Sequence, residues 1–366
     1  MPEPPMQITA LRTRVAVLPV RKRVVGRMGT FDRIWFVLLD LDTDTDLRGL
    51  SYLWTFRPHI ARAVQAILAD LEELTVGEDP FFTTRLWRRM WQQISQYGHK
   101  GLAVMALSGI DVAVWDIVGK AAGRPLAHVL GAHFREVPTY ASEGLWLTDD
   151  LDALAREAEE FAVRGFRAMK MRLGRPEMRQ DLEAVRVIRE AIGPDVALMV
   201  DANQGWDVEY AIRIGRELER FGLTWLEEPV AHDDLVGHAR VAAALDTPLA
   251  TGENIYSPQG FREAIEQRAL DVVMPDVERV GGVTGWTRTA ALAEAWHLPI
   301  CSHLFPEISV HLVASAPTGY YLEHMPWGEA LFRERPELVN GAVRLPEGPG
   351  LGLSWDETAI RAAAPD

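Results

Sequence analysis

From Val137 to Met325 the sequence repeats one pattern, a short apolar segment ending in a polar residue and followed by an amphipathic stretch. VPTYASEG, FRAMKMRLG, VALMVDAN, LTWLEEP, TPLATGEN, LDVVMPDV, LPICSHLF and YYLEHM read as eight strands. Between them, Leu151, Leu154, Ala158 and Phe161 recur at helical spacing, as do Ala211, Ile214, Leu218 and Phe221. Strands that alternate with helices form a parallel sheet, and eight of them favour a closed (β/α) barrel over an open sheet. This repeat constrains the chain more than any other feature. It also locates the chemistry, because the active site of such barrels lies at the C-terminal ends of the strands.

The polar residues at those ends keep phase with the repeat. Lys170, Asp201, Glu227, Glu253, Asp276, His303 and Glu323 lie 31, 26, 26, 23, 27 and 20 residues apart, one strand–helix unit each. Side chains alternate along a strand, so Arg172 shares the face of Lys170, and Asn203 that of Asp201. Glu228 points away from Glu227. A single acidic residue at a loop start is usually a helix N-cap. Asp201, Glu227 and Glu253, on three consecutive strands, would repel one another unless a cation lay between them. Hard oxygen donors without cysteine or paired histidines suit Mg²⁺, with Mn²⁺ as a substitute, better than Zn²⁺. Asp276 and His303 end neighbouring strands, so the carboxylate can orient the imidazole as a general base. Cys301 reads as a small buried interior residue rather than a nucleophile. Gly281–Gly285 fits neither phosphate-binding glycine fingerprint and reads as a helix start.

The first part of the chain is organised differently. QITALRTRVAVLPV and RIWFVLLDLDT read as two strands separated by a glycine-containing loop, and three helical stretches follow at about 58–73, 80–96 and 101–122. That order suggests an α+β domain. A net charge of -14 argues against a nucleic-acid surface, since phosphate binding needs clustered positive charge. One cysteine excludes an intramolecular disulfide framework. With no secretory h-region and no uninterrupted bilayer-length apolar run, a cytoplasmic protein without membrane partners is expected.

Taken in order, Lys170-Met-Arg172, Asp201-Ala-Asn203, WLEEP, GEN, MPDVERVGGVTGW, CSHLFPEIS and YLEH resemble the mandelate racemase group of the enolase superfamily. GTFDRIWFVLLDL and GIDVAVWDIVGKAAGRPL extend the resemblance over nearly the whole chain. It implies a (β/α)₇β modified TIM barrel (131–329) under an N-terminal α+β capping domain (1–130), to which residues 330–366 return. It further implies Mg²⁺ on Asp201, Glu227 and Glu253, and a small-molecule carboxylate bound by Lys170 and the metal. Asp276–His303 would be the base, Glu323 a hydrogen-bond donor to that carboxylate, and Asn203 a further substrate-binding residue. The chemistry implied is abstraction of the proton α to a carboxylate through an enediolate, a use of Mg²⁺ for which this superfamily is a standard example. A homo-oligomer is expected.

Arg172 departs from the group's pattern, which has a second lysine there in members with two bases. A guanidinium keeps its proton, with a pKa above ~12. Dehydration of an α-hydroxy acid or acid sugar, for which His303 suffices, is therefore preferred over racemisation or epimerisation with Arg172 as an activated base. A catalytically silent metal- or carboxylate-binding barrel is the alternative of another class; it has no need of an oriented Asp276–His303 pair. In the resembled group the loop between the first two strands closes over the barrel and selects the substrate's distal group. Here it carries Arg21, Lys22, Arg23 and Arg27. Inward-pointing Arg23 and Arg27 would favour acid sugars or hydroxy diacids, because buried guanidinium groups need anionic or hydroxyl partners.

Overall fold

The computed structural model describes residues 6–26 and 29–365. Strands β1 (Ile8–Gly26), β2 (Gly29–Thr43) and β3 (Arg48–Thr55) form an antiparallel meander in that order. Pairing of β1 and β2 continues to Gly26 and Gly29, so the segment read as a loop is mostly the outer end of a long hairpin. The register shifts there. Pro19 pairs with Arg33 and Val24 with Phe31, so Val20–Arg23 face a single residue, Asp32. Such a bulge bends the strand and re-aims its side chains. The sequence reading missed β3. Residues 49–55 are buried throughout, so the strand lacks the alternation that marks a half-buried one.

Helices Pro58–Glu72, Thr83–Gln93 and Leu102–Ala121 complete the cap. Leu102–Ala121 is long and apolar enough to cross a membrane, yet 83% of its most apolar window is buried as a core helix of the described residues. Its two inward aspartates fasten the cap to the rest. Asp111 accepts from the Thr284 amide at 2.8 Å and the Thr284 hydroxyl at 2.7 Å. Asp116 accepts from the amides of Leu50 at 2.8 Å and Leu351 at 2.7 Å. Gly282, at φ +70°, begins helix Gly282–Ala295, and a Cβ there would lie 2.6 Å from the Asp111 carboxylate. The glycine pair thus serves a helix start and a close approach between domains.

Strands β4 (Glu136–Ala141), β5 (Ala168–Arg172), β6 (Ala197–Asp201), β7 (Leu226–Glu227), β8 (Leu249–Thr251) and β9 (Val272–Val273) are parallel neighbours in sequence order. The segment around 300–303 follows as single bridges, Val273 to Ile300 and Asp276 to His303. Strand β10 (Leu322–His324) pairs in parallel with β4 and closes the ring. A helix follows each of the first seven strand positions, from Leu151–Val163 to Pro306–Ser315, and none follows β10. This is the (β/α)₇β barrel. Strands β11 (Leu338–Val339) and β12 (Ala342–Arg344) then pair back onto β4, and Trp355 donates to Asp40 of the cap at 2.9 Å.

Two carboxyls buried between cap and barrel make stability depend on pH. Burial pushes Asp111 up to about 7 against the bonds from Thr284. Burial likewise pushes Glu307, which accepts from the Tyr52 hydroxyl at 2.7 Å, up to about 7. Their folded pKa values lie above the ordinary carboxyl value of about 4, so the folded state binds more protons between these limits. Stability from both groups is complete below about pH 4 and is lost as pH rises through 7. We expect the Tm of the Asp111→Asn, Glu307→Gln double variant to fall less between pH 5 and 8 than that of the wild type. An identical slope in both proteins would contradict this assignment.

Candidate active site

Of the polar strand-end residues named above, Lys170, Arg172, Asp201, Asn203, Glu253, His303 and Glu323 line one cleft at the barrel mouth, with Glu227 and Asp276 bonded to that set. Six residues that flank it, Leu145, Asn203, Gln204, Glu228, Leu304 and Phe305, hold positive φ without being glycine. Such conformations are costly and persist where surrounding bonds impose them. Asn203 shows how. Its amide donates to Asp201 Oδ1 at 2.8 Å and its Nδ2 to Oδ2 at 2.9 Å, which locks the Asp201 carboxylate at the end of β6.

Lys170, fully buried, ion-pairs with Glu227, with Glu323 at 3.1 Å and with Asp201 at 3.5 Å. Burial alone would lower its pKa; the three carboxylates outweigh this and raise it, so it stays charged. Glu227 also accepts from the Trp225 indole at 2.9 Å. Burial, with repulsion from Asp201, Glu323 and Glu253 against the attraction of Lys170, pushes Glu227 up to about 8. Glu253 lies 3.3 Å from His303 Nε2 and accepts from Asn254 at 3.0 Å.

His303 Nδ1 lies 2.7 Å from Asp276 Oδ2, while Asp276 Oδ1 caps the short helix Val277–Val280. Because a carboxylate only accepts, Nδ1 carries the proton and Nε2 is the basic nitrogen of the neutral ring. Burial would lower the His303 pKa, but Glu253, Asp276 and Glu323 raise it. Glu323 accepts at both oxygens, from Ser142 Oγ at 2.6 Å and the Leu304 amide at 2.7 Å. Burial would raise it, yet Lys170, His303, the Ser142 bond and Arg172 bring it down to about 2. As arranged here it faces Lys170 at 3.1 Å, so the oxygen expected to meet a substrate carboxylate lies beside the residue expected to bind that carboxylate.

Arg172 is buried and held by the carbonyls of Ser142 at 2.6 Å and Gly144 at 3.2 Å, and by Ser142 Oγ at 2.9 Å. Its guanidinium lies over the Trp146 ring at 4.2 Å, and its Nε–H has no acceptor. Among the described residues no three acidic, histidine or cysteine side chains already converge at metal-ligand spacing. Lys170 engages Glu227 and Asp201, and His303 and Asn254 engage Glu253. The donor set nevertheless fits Mg²⁺. Asp201, Glu227 and Glu253 offer hard oxygens from consecutive strand ends, and burial together with repulsion among these neighbouring carboxylates lifts Glu227 and Glu228.

The cleft, about 590 Å³ with its open mouth, has a polar floor and an aromatic roof. Lys170, Arg172, Asp201, Asn203, Glu253, His303 and Glu323 line the floor. Val24, Phe31, Trp54 and Phe56 come down from the cap, and Trp146 and Trp327 from barrel loops. Arg21, Lys22 and Arg23 do not form the cationic wall expected of the basic loop. Arg23 is exposed, Arg21 reaches Glu329 at 2.7 Å and Lys22 reaches Glu157 at 2.5 Å, while Val24 turns in. The bulge opposite Asp32 accounts for this outward turn. Arg27 lies outside the described residues. Sequence reasoning also missed Ser142, although it ends the first barrel strand as Lys170 nearly ends the second. It missed the aromatic roof as well, for which twelve tryptophans were the available signal. Cys301 is buried inside the barrel, as expected.

Two family models match the chain. Residues 9–131 match the mandelate racemase / muconate lactonizing enzyme N-terminal domain, and residues 153–359 match the enolase C-terminal domain-like family. The L-talarate/galactarate dehydratase of Salmonella typhimurium is 35% identical over 340 residues, 93% of this chain and 85% of that protein. The 3,6-anhydro-α-L-galactonate cycloisomerase of Streptomyces coelicolor is 35% identical over 354 residues, 95% of this chain and 97% of that one. The crystal structure of an enolase from Bradyrhizobium complexed with magnesium and mandelic acid superposes with a TM-score of 0.93 at 34% identity, covering 100% of both chains. With both of its domains matched and its strand-end residues in the group's order, the chain belongs to the mandelate racemase group of the enolase superfamily.

Proposed function

We propose that this chain is a Mg²⁺-dependent enzyme that removes the proton α to a carboxylate and dehydrates a polyhydroxy acid. The observation that carries this reading is the Asp276–His303 pair, 2.7 Å apart, with Nε2 at the cleft floor that Lys170 and Arg172 also line. Asp201, Glu227 and Glu253 would hold the metal. When bound, Mg²⁺ supplies positive charge that stabilises the substrate's carboxylate oxygens as the α-proton leaves. Lys170, kept charged, orients the same carboxylate. His303 Nε2 accepts the α-proton while Asp276 stabilises the resulting imidazolium. The imidazolium then returns that proton to the departing β-hydroxyl, releasing water and leaving an enol that becomes the 2-keto acid. Arg172 stands on β5, across the ring from His303, with its Nε–H free to bond a substrate oxygen. It contributes fixed positive charge rather than a second base.

The test is incubation of aldonic and aldaric acids with Mg²⁺, followed by NMR in D₂O. Formation of a 2-keto acid supports the reading, and stereo-inversion without keto product refutes it. We expect Arg172→Met to lower kcat/KM by about 10²-fold, the scale for losing one preorganised donor, without creating or removing exchange of the α-proton in the product-free direction. Loss of exchange on one face of a racemising substrate would instead identify Arg172 as a base.

A further inference from the structure

Four buried indole N–H groups among the described residues have no protein acceptor, and three of them, on Trp54, Trp146 and Trp327, line the one cleft that holds the catalytic floor. Buried donors left unpaired are costly and uncommon, so three gathered at a ligand cleft need an explanation. The fourth, on Trp286, lies in helix Gly282–Ala295 outside that lining. Trp54 is 8% exposed. Trp54 and Trp327 belong to one aromatic group with Phe56. Trp54 meets Trp327 edge-on at 5.2 Å and Phe56 at 4.8 Å, and Phe56 stacks on Phe31 at 4.0 Å. Trp146 closes the other side, one face of its ring taken by Arg172.

We propose that Trp54, Trp146 and Trp327 are specificity-determining residues that bind an uncharged, hydroxyl-bearing substrate tail. Indole donates only, so it pairs with hydroxyl or ring oxygens, while the flat ring faces cover the C–H surface of the same tail. A tail of this chemistry belongs to a polyhydroxy monocarboxylic acid. A second carboxylate would be desolvated against aromatic rings, where neutral donors compensate a buried charge poorly. The described cations of the cleft lie at its floor, Lys170 and Arg279 held by carboxylate or carbonyl partners and Arg172 by carbonyls through Nη1, with only the Arg172 Nε–H left open there. This inference names the substrate class for the function proposed above and rests on the carboxylate anchor described there.

The test measures binding of gluconate, galactarate and mandelate by calorimetry in the presence of Mg²⁺, beside turnover of each. We expect gluconate to bind at least about tenfold more tightly than galactarate. Trp54→Phe, Trp146→Phe and Trp327→Phe should each weaken gluconate about three- to tenfold, the range for one neutral hydrogen bond. Mandelate, whose phenyl tail has no acceptor, should change less than about twofold in the same variants. Galactarate binding as tight as gluconate, absence of gluconate binding, or equal losses for gluconate and mandelate would each overturn the proposal. So would a galactarate preference that Arg27→Ala abolishes. The wild-type comparison of the three acids stands even if a variant fails to fold. Gluconate binding in the expected order without turnover of any acid refutes the catalytic reading alone. Turnover with galactarate preferred refutes this inference alone.

Discussion

His303→Asn is expected to lower kcat by about 10²- to 10⁴-fold, the contribution of a positioned general base, while substrate affinity changes little. The asparagine amide can still face Asp276 but offers no basic nitrogen. Asp276→Asn should be nearly as damaging for a different reason. Asn remains a good helix cap, so the turn at Val277–Val280 survives. Its side-chain N–H would, however, donate to His303 Nδ1 and leave the ring proton on Nε2, where the base is needed. Both variants should keep the wild-type circular dichroism and lose exchange of the substrate α-proton in D₂O. Exchange that continues in His303→Asn would move the base to another residue, with Arg172 the first to examine.

Chelation is expected to abolish turnover, and added Mg²⁺, or Mn²⁺ in its place, to restore it. Glu227→Gln should cost at least about 10²-fold in kcat/KM. It should also remove the Mg²⁺-induced rise in Tm that the wild type shows, since an ion binding only the folded state stabilises it by mass action. Glu227 is chosen because it is wholly buried and pushed up to about 8, so losing its charge relieves repulsion from Asp201, Glu323 and Glu253. The variant should therefore fold. Full activity after exhaustive chelation, or an undiminished Mg²⁺ response in Glu227→Gln, would remove the metal from this reading.

The barrel was legible because each of its units repeats the same physical problem. An apolar strand must be buried on both faces, the helix after it must cover one face, and the polar residue between them marks the open end. The same rule brought Lys170, Asp201, Glu227, Glu253, Asp276 and His303 together before any coordinates. It failed for β3, which is buried on both sides with no alternation. The segment at 300–303 takes the strand position expected of it, though it joins its neighbours by single bridges rather than a full ladder. The position of Glu323 at the mouth follows from the same rule, but its partners do not: Lys170, Ser142 and the Leu304 amide come from 153, 181 and 19 residues away.

The basic hairpin shows the limit most plainly. Four cations in seven residues are visible in any reading of the chain, but whether they meet substrate or solvent is not. For Arg21 and Lys22 it was decided by a register shift in the β1–β2 ladder, which turns them toward Glu329 and Glu157 and brings Val24 to the cleft. The aromatic roof was decided in the same way, since Phe31, Trp54, Trp146 and Trp327 share no spacing and meet only when the cap sits on the barrel. The sequence by itself determined the fold class, the catalytic floor and the type of metal it suits, because strand period and donor chemistry are local properties. Tertiary structure alone determined which residues face the substrate's tail and which carboxylates keep their charge, because both depend on contacts between distant segments and on burial.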